Sequence, residues 1–531
     1  MSAGLPTARR FDHIVIGAGS AGCAAARRLL DAGRTVAIVE AGGPVDDERI
    51  TDITRMWELW GLDTDWRIRS EPQEHASGTV VELPRGRVFG GSSAMYGLVH
   101  ARGVRADFDS WALQGAPGWG WDEVLPVYRR MEDFEGGADE YRGTGGPMPV
   151  ALNHETNRLT HRFLAAGEQA GLAVNPDYNG EDPLGIAIAQ INVRDGKRCT
   201  SWDAYLEGVK DDPRLSVFPF SLALRLTFDG DRCSGVVIEH DGDEFALEAE
   251  CDVVLSAGSY QSPQLLMLSG IGDPAELTAH GIETRLALPD VGKNLQDHFL
   301  VPLVYASTRP IEPQRANGTE CHFFAKSDPG LTAPDLQPIL VAKGLPVRGA
   351  EVPEQAFTFL AGVIRPFSTG RVFLASADPH ELPRVDLGYF SDPQDMATML
   401  AAIAKCREIA AQPALADERG EELFPGADVT GEALEQYVRE QILTYHHPSG
   451  TCRMGRDAMA VVDPRLRVRG VAGLRVADCS VFPAVPSGNT HAPAVLVGER
   501  VADFILEDAA AAAAAADGAA GAVPVRAGNA A

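Results

Sequence analysis

Gly17-Ala18-Gly19-Ser20-Ala21-Gly22 sets three glycines at a spacing suited to holding phosphate. Gly17 permits a tight turn, Gly19 lets backbone approach a pyrophosphate, and Gly22 permits close helix–strand packing. A helix starting here offers free N–H groups and the positive end of its dipole to the phosphates. Further on, the carboxylate of Glu40 is placed to accept bonds from ribose hydroxyls and disfavours a 2′-phosphate, which argues against NADP. The pattern therefore binds a dinucleotide, and by itself it does not choose between FAD and NAD.

These residues need particular elements around them. The apolar run Phe11–Ile16 reads as a buried parallel strand, Ser20–Ala32 as a helix ended by Gly33, and Thr35–Glu40 as a second strand. That is a βαβ opening of about 30 residues. Residues 41–86, with Trp57, Trp60 and Trp66, read as an irregular excursion, and 120–190 as loop-rich. Strand patterns return at 215–240 and 252–258, and a helix is expected from about Pro263 to Leu268. Residues 306–400 read as antiparallel strands followed by a helix from about Asp392, 431–443 as a helix, 473–478 as a last strand and 493–506 as a last helix. The Ala- and Gly-rich tail 509–531, with eight consecutive alanines, is expected to be disordered.

Five further stretches stand out, in this order: Gly86-Arg87-Val88-Phe89-Gly90-Gly91-Ser92-Ser93-Ala94-Met95-Tyr96-Gly97; Gly258 to Gly272; Val291-Gly292-Lys293-Asn294-Leu295-Gln296-Asp297-His298; His446-His447-Pro448-Ser449-Gly450-Thr451; and Pro486-Ser487-Gly488-Asn489-Thr490-His491-Ala492-Pro493. With the first motif they resemble the glucose–methanol–choline (GMC) family of FAD-dependent oxidoreductases from about Phe11 to Leu506.

The resemblance implies an α/β protein. A Rossmann-like FAD-binding domain would be assembled from the discontinuous segments 1–150, 216–305 and 442–508. A second, α+β substrate domain built on an antiparallel sheet would take 151–215 and 306–441. The ADP half of FAD would lie at Gly17, Gly19, Ser20, Ala21, Gly22, Glu40 and Ala41, with Ala223 near the adenine. The flavin would lie along Arg87, Gly90, Gly91, Ser92, Met95, Tyr96 and Gly97. Ala257, Asp478, Ala492 and Pro493 would complete the wall. Tyr96 stands where the family usually has Asn or His. Met95 stands where some members carry the His that bonds covalently to flavin, so FAD is expected to be non-covalent.

The same resemblance assigns His447 and His491 to catalysis. Oxidising an alcohol removes a proton from oxygen and a hydride from carbon. A neutral imidazole, with an ordinary pKa of about 6.5, can take the proton near neutral pH. A second ring can hydrogen-bond the developing alkoxide, and the flavin takes the electrons. His446 reads as a packed neighbour, His298 as a turn stabiliser, Lys197 and Arg198 as loop decoration, Cys452 as a buried small residue, and Trp119 and Trp121 as packing.

Composition agrees. The chain has 531 residues, 45 % hydrophobic and 23 % charged, enough for a large core. With 47 basic and 74 acidic residues it carries a net charge of -27, which disfavours nucleic acid and an anionic membrane surface. No apolar run reaches the length of a membrane span. Eight cysteines form no disulfide framework and no zinc-like cluster, so no metal and a cytoplasmic location are expected. The expected activity is oxidation of a small alcohol to an aldehyde or ketone, with oxygen or another acceptor reoxidising the flavin. Choline dehydrogenase-like activity and an FAD-containing hydroxynitrile lyase are the alternatives. Oligomeric state cannot be read from the chain.

Overall fold

A computed structural model describes residues 9–520. Residues 1–8 and, of the expected tail, 521–531 lie outside the described residues.

The opening strand Arg10–Ile16 has neighbours on both sides and helices over its faces, so Ile14, Val15 and Ile16 are all buried. It pairs in parallel with Val36–Val39 and with Asp243–Leu255, Ile14 lying opposite Ala37 and Val253. Leu215–Phe218 extends the parallel sheet on one side and Leu474–Val476 on the other. Burial on both faces explains why these strands read as continuous apolar runs rather than alternating ones. The first half of Asp243–Leu255 runs antiparallel to Arg232–His240, which pairs in turn with Ser221–Asp229. The result is a Rossmann-like sheet gathered from distant parts of the chain.

The second sheet is antiparallel throughout. Its order is Arg419–Phe424, Phe299–Ser307, Ala356–Val363, Ile339–Val341, Cys321–Phe324, Gly185–Ile188. Its strands alternate. Phe299, Val301, Leu303, Phe323, Phe357 and Phe359 face a core shared with the helices Arg158–Gln169 and Pro393–Ala410. Leu300, Phe324, Ile339 and Leu360 face the other way, into a separate apolar cluster.

Several expectations need correction. The strand Phe299–Ser307 crosses the domain boundary expected at 305 and belongs wholly to the second sheet. The helix Ser201–Tyr205, expected in the substrate domain, packs on Ser20–Asp31 and buries Trp202 and Tyr205 in the first core. The helix expected from Pro263 begins at Gly258, because Pro263, which suggests a first helical position, stands inside it. The last helix runs His491–Ala520 instead of stopping at 506. Alanine loses no side-chain entropy in a helix, and propagation from a packed helix is cheap. Asp508 also ties the extension down by accepting a bond from Arg475 Nη2 at 2.7 Å.

Candidate active site

The first glycine motif ends the opening strand. Gly17 has φ +104°, and a Cβ there would lie 2.4 Å from the Ser256 carbonyl oxygen, so only glycine lets the turn pass. Gly91, at φ +55°, would put a Cβ 2.8 Å from Gly19 Cα, so the second glycine loop presses directly on the first. The helix Ser20–Asp31 has Gly19 as its N-cap with no side-chain cap, and a Cβ on Gly19 would meet nothing within 4 Å. Its first N–H groups therefore face open space, as an anion site requires. The helices Gly258–Leu268 and His491–Ala520 begin on the same space.

That space is a cavity of about 1060 Å³ between the two sheets. Every cofactor-binding position expected above lines it except Gly22, Gly90, Ala492 and Pro493. Gly22 and Gly90 shape the glycine turns from behind, since a Cβ on either would strike neighbouring atoms at 2.0 and 2.8 Å. Ala492 and Pro493 are buried in the last helix. Glu40 accepts from Ala18 N at 2.9 Å and from Gly42 N at 2.8 Å. Burial pushes its carboxyl up to about 7. Asp478 accepts from Gly258 N, Ser262 Oγ and Ser480 N, and burial raises its carboxyl too. Open helix ends, the uncovered Gly19 and a carboxylate at the end of the second strand fit the ADP half of FAD.

His298, His446 and His447 are positioned by the second sheet, and His491 by the last helix. Leu443–Thr444 pairs with the start of Phe299–Ser307, Thr444 opposite Phe299. The residues just beyond this pair, His298 and Tyr445–His447, are thereby brought together, and Tyr445 N donates to the His298 carbonyl at 2.9 Å. His446 takes φ +66°, and the kink carries His447 into the cavity wall. His447 N donates to Asp297 Oδ1 at 2.7 Å, while Tyr389 OH and Thr444 Oγ1 donate to Asp297 Oδ2. Burial pushes the Asp297 carboxyl up to about 6.

The His447 ring is bonded at both nitrogens. Nδ1 lies 2.9 Å from His298 Nδ1, and Nε2 lies 3.3 Å from Asn489 Nδ2. Asn489 Oδ1 accepts from Gln337 Nε2 at 3.0 Å. With the Asn489 amide nitrogen donating to Nε2, the His447 proton sits on Nδ1 and is donated to His298. Burial holds the His447 imidazole well below its ordinary value, with His298, His446 and Arg85 adding to the effect. The ring is therefore neutral near pH 7, with its Nε2 lone pair beside the cavity.

His491 also lines the cavity, but its bonded partner is Ser20 Oγ, 3.0 Å from Nδ1, and the Tyr96 ring packs against it at 4.7 Å, tilted by 53°. Burial holds His491 down to about 3. The side chain that touches His447 from the last motif is thus Asn489 rather than His491. Tyr96 OH donates to Asn192 at 2.8 Å, and Met95 presents a thioether to the cavity. Arg198 is not loop decoration. It is buried and donates to the Ile50 and Tyr96 carbonyls, clamping the loop that carries Tyr96. His298 does more than stabilise a turn, since it partners His447. The motif Gln296-Asp297-His298 held the signal for it; nothing local marked Gln337. Trp57, Trp60 and Trp66 of the irregular excursion line the cavity, and His446 packs against Trp60 at 4.9 Å. Cys452, Trp119 and Trp121 are buried.

A family profile described as GMC oxidoreductase matches residues 11–300 and, for its C-terminal part, 366–498. The chain belongs to the GMC oxidoreductase family. An oxygen-dependent choline dehydrogenase of Brucella ovis is 38 % identical over 524 residues, covering 93 % of this chain and 95 % of its own. The crystal structure of a pyridoxine 4-oxidase titled as from Mesorbium loti superposes with TM-score 0.90 at 32 % identity, covering 93 % of this chain and 98 % of the other. A formate oxidase of Aspergillus oryzae RIB40 superposes with TM-score 0.87 at 26 % identity over 95 % of this chain and 99 % of its own. This GMC protein is an FAD-dependent oxidoreductase acting on CH–OH groups. Among the described residues, no helix is long and apolar enough to cross a membrane.

Proposed function

We propose that His447 is the general base of a primary-alcohol oxidation, with FAD held non-covalently along Gly17–Ala21 and Gly91–Gly97. The observation that carries the proposal is the buried His447 ring, whose Nδ1 is tied to His298 and whose Nε2 borders the cavity. The Asn489 contact at 3.3 Å is long, so a substrate hydroxyl competes well for Nε2. His447 takes the hydroxyl proton there, and Asn489 and His491 supply polar contacts to the oxygen left behind. When bound, FAD supplies a two-electron acceptor for the hydride leaving the substrate carbon.

A non-covalent flavin is supported by Met95, whose thioether offers no nucleophile for such a bond. Acid or urea should release the yellow colour into solution, and colour that stays with the chain would contradict this. Eight free cysteines, six of them buried, suit a reducing compartment such as the cytoplasm. Oxygen or another acceptor reoxidises the flavin. Recovery of absorbance when air is admitted to reduced protein tells the two apart.

A choline-like substrate is the second reading, supported by the 38 % identity to choline dehydrogenases. A trimethylammonium group wants aromatic faces with a carboxylate nearby. Of the cavity's carboxylates, Glu40, Asp65 and Asp478 already hold backbone N–H groups, Glu82 pairs with Arg69, and Glu381 is exposed in the loop after Phe373. None stands on the face of the second sheet that borders His447. Anaerobic flavin reduction by choline against a benzylic alcohol decides between the readings.

A further inference from the structure

Where it lines the cavity, one face of the second sheet is apolar except at two positions. His322 lies opposite Ile339, Ile339 lies opposite Leu360, and Gln337 precedes Ile339 by two residues on the same face. Leu300, His322, Gln337, Ile339 and Leu360 all line the cavity. The two polar side chains are each 1 % exposed. His322 Nε2 and Gln337 Oε1 have no hydrogen-bond partner. Leaving a buried polar atom unpaired costs on the order of 1–3 kcal/mol, so each such atom calls for an explanation.

Their surroundings give one. His322 is fixed by ring contacts alone, edge-on to Tyr178 at 4.6 Å and to Phe324 at 5.1 Å. Those contacts set the ring plane without using either nitrogen. Gln337 spends its amide nitrogen on Asn489, which touches His447 Nε2, so the free carbonyl oxygen is two side chains from the proposed base. Tyr445 stacks on the His447 ring at 4.8 Å with planes 21° apart and donates to the main-chain carbonyl of Gln337. The space is thus apolar and aromatic, with Trp57, Trp60, Tyr96 and Tyr445 in its lining, an unpaired acceptor on Gln337 and an imidazole that can donate or accept.

Resting on the alcohol-oxidation reading, we infer that His322 and Gln337 form a specificity subsite for a second hydroxyl group on a flat, apolar primary alcohol. The substrate class is a hydroxylated aryl-methanol. A hydroxyl both donates, to Gln337 Oε1, and accepts, from the His322 N–H, whereas a trimethylammonium group can do neither. An unsubstituted aryl-methanol would enter the space but leave both atoms unpaired.

The test is anaerobic flavin reduction of the FAD holoenzyme by 4-hydroxybenzyl alcohol, 3-hydroxybenzyl alcohol, benzyl alcohol and choline. A hydroxyl-bearing alcohol should exceed benzyl alcohol in second-order reduction efficiency by about 10²-fold or more, as expected where buried groups would otherwise stay unpaired. His322→Leu and Gln337→Leu, measured separately, should each reduce that ratio to about tenfold or less. The loss should appear in the apparent dissociation constant for the hydroxylated substrate more than for benzyl alcohol. Equal efficiency for hydroxylated and plain alcohols overturns the subsite while leaving the alcohol oxidation standing. So does a ratio unchanged in both variants, or choline as the best reductant. Reduction by none of the four overturns both readings.

Discussion

The cavity has two walls built on different principles. The wall on the first sheet is made of main chain. Glycine turns, uncapped helix ends and two carboxylates holding backbone N–H groups leave little for side chains to decide. The wall on the second sheet is made of side chains. Its histidines, amides and leucines reach the cavity from strands that are far apart in sequence. A main-chain wall suits one invariant ligand and tolerates almost no substitution. A side-chain wall can be changed residue by residue, which suits it to setting which alcohol enters.

The two walls should fail differently. The largest effect is expected on the side-chain wall. His447→Ala should slow anaerobic flavin reduction by about 10²-fold or more, the range for losing a general base, while FAD content stays that of the wild type. Near-normal reduction would remove His447 from that role. On the main-chain wall, Gly17→Ala should weaken FAD retention by at least about tenfold, since only about 1.4 kcal/mol of strain is needed and the new Cβ would meet the Ser256 carbonyl. Equilibrium dialysis of the flavin reads this, and unchanged affinity would mean that the turn relaxes freely.

Acid sharpens the contrast. A solvated imidazole with pKa about 6.5 would lose about 30-fold of its base form by pH 5. Burial holds His447 well below that value, so the reduction rate should fall less than about threefold between pH 7 and pH 5. An acid limb centred near 6.5 would contradict the burial argument. Stability responds with opposite signs on the two walls. His298, His322 and His491 are held down to about 3 by burial, so the unfolded chain takes up their protons first. Their contribution is present above 6.5 and is lost as pH falls toward 3, by about 1–2 kcal/mol each at pH 5. Glu40, raised to about 7, destabilises the flavin-free protein as pH rises from the ordinary glutamate value through 7. Thermal denaturation of flavin-free Glu40→Gln should therefore show a stabilising effect only at the alkaline end. A gain at pH 5 instead would contradict this sign.

This difference also decides what could be read from the chain. Glycines that let backbone approach a phosphate must sit at fixed local spacing, so Gly17, Gly19, Gly91 and Glu40 are visible in the sequence along with the βαβ unit that presents them. His447 was visible because its motif is local too. The Gln337–Asn489–His447 chain was not, because it exists only once Leu443–Thr444 and Ile339–Val341 have taken their places in the second sheet. His322 gave no signal at all, since an isolated histidine in an apolar strand looks like any packed residue. Arg198 was misjudged for a related reason. Its polar type suggests solvent, but its burial depends on carbonyls from residues 50 and 96. The last helix was cut short because propensity was weighed without the tether from Asp508 to Arg475.

The central claim is that alcohol oxidation begins with proton transfer to a neutral, buried His447. Its most direct test is anaerobic stopped-flow reduction of the FAD holoenzyme by a benzylic alcohol from pH 5 to pH 8, in the wild type and in His447→Gln. The account predicts fast bleaching of the flavin in the wild type that is nearly flat across this range. In the variant it predicts bleaching at least about 10²-fold slower, with a rate that rises with pH as hydroxide replaces the missing base. Equal rates in the two proteins, or a wild-type rate that collapses below pH 6.5, would contradict it.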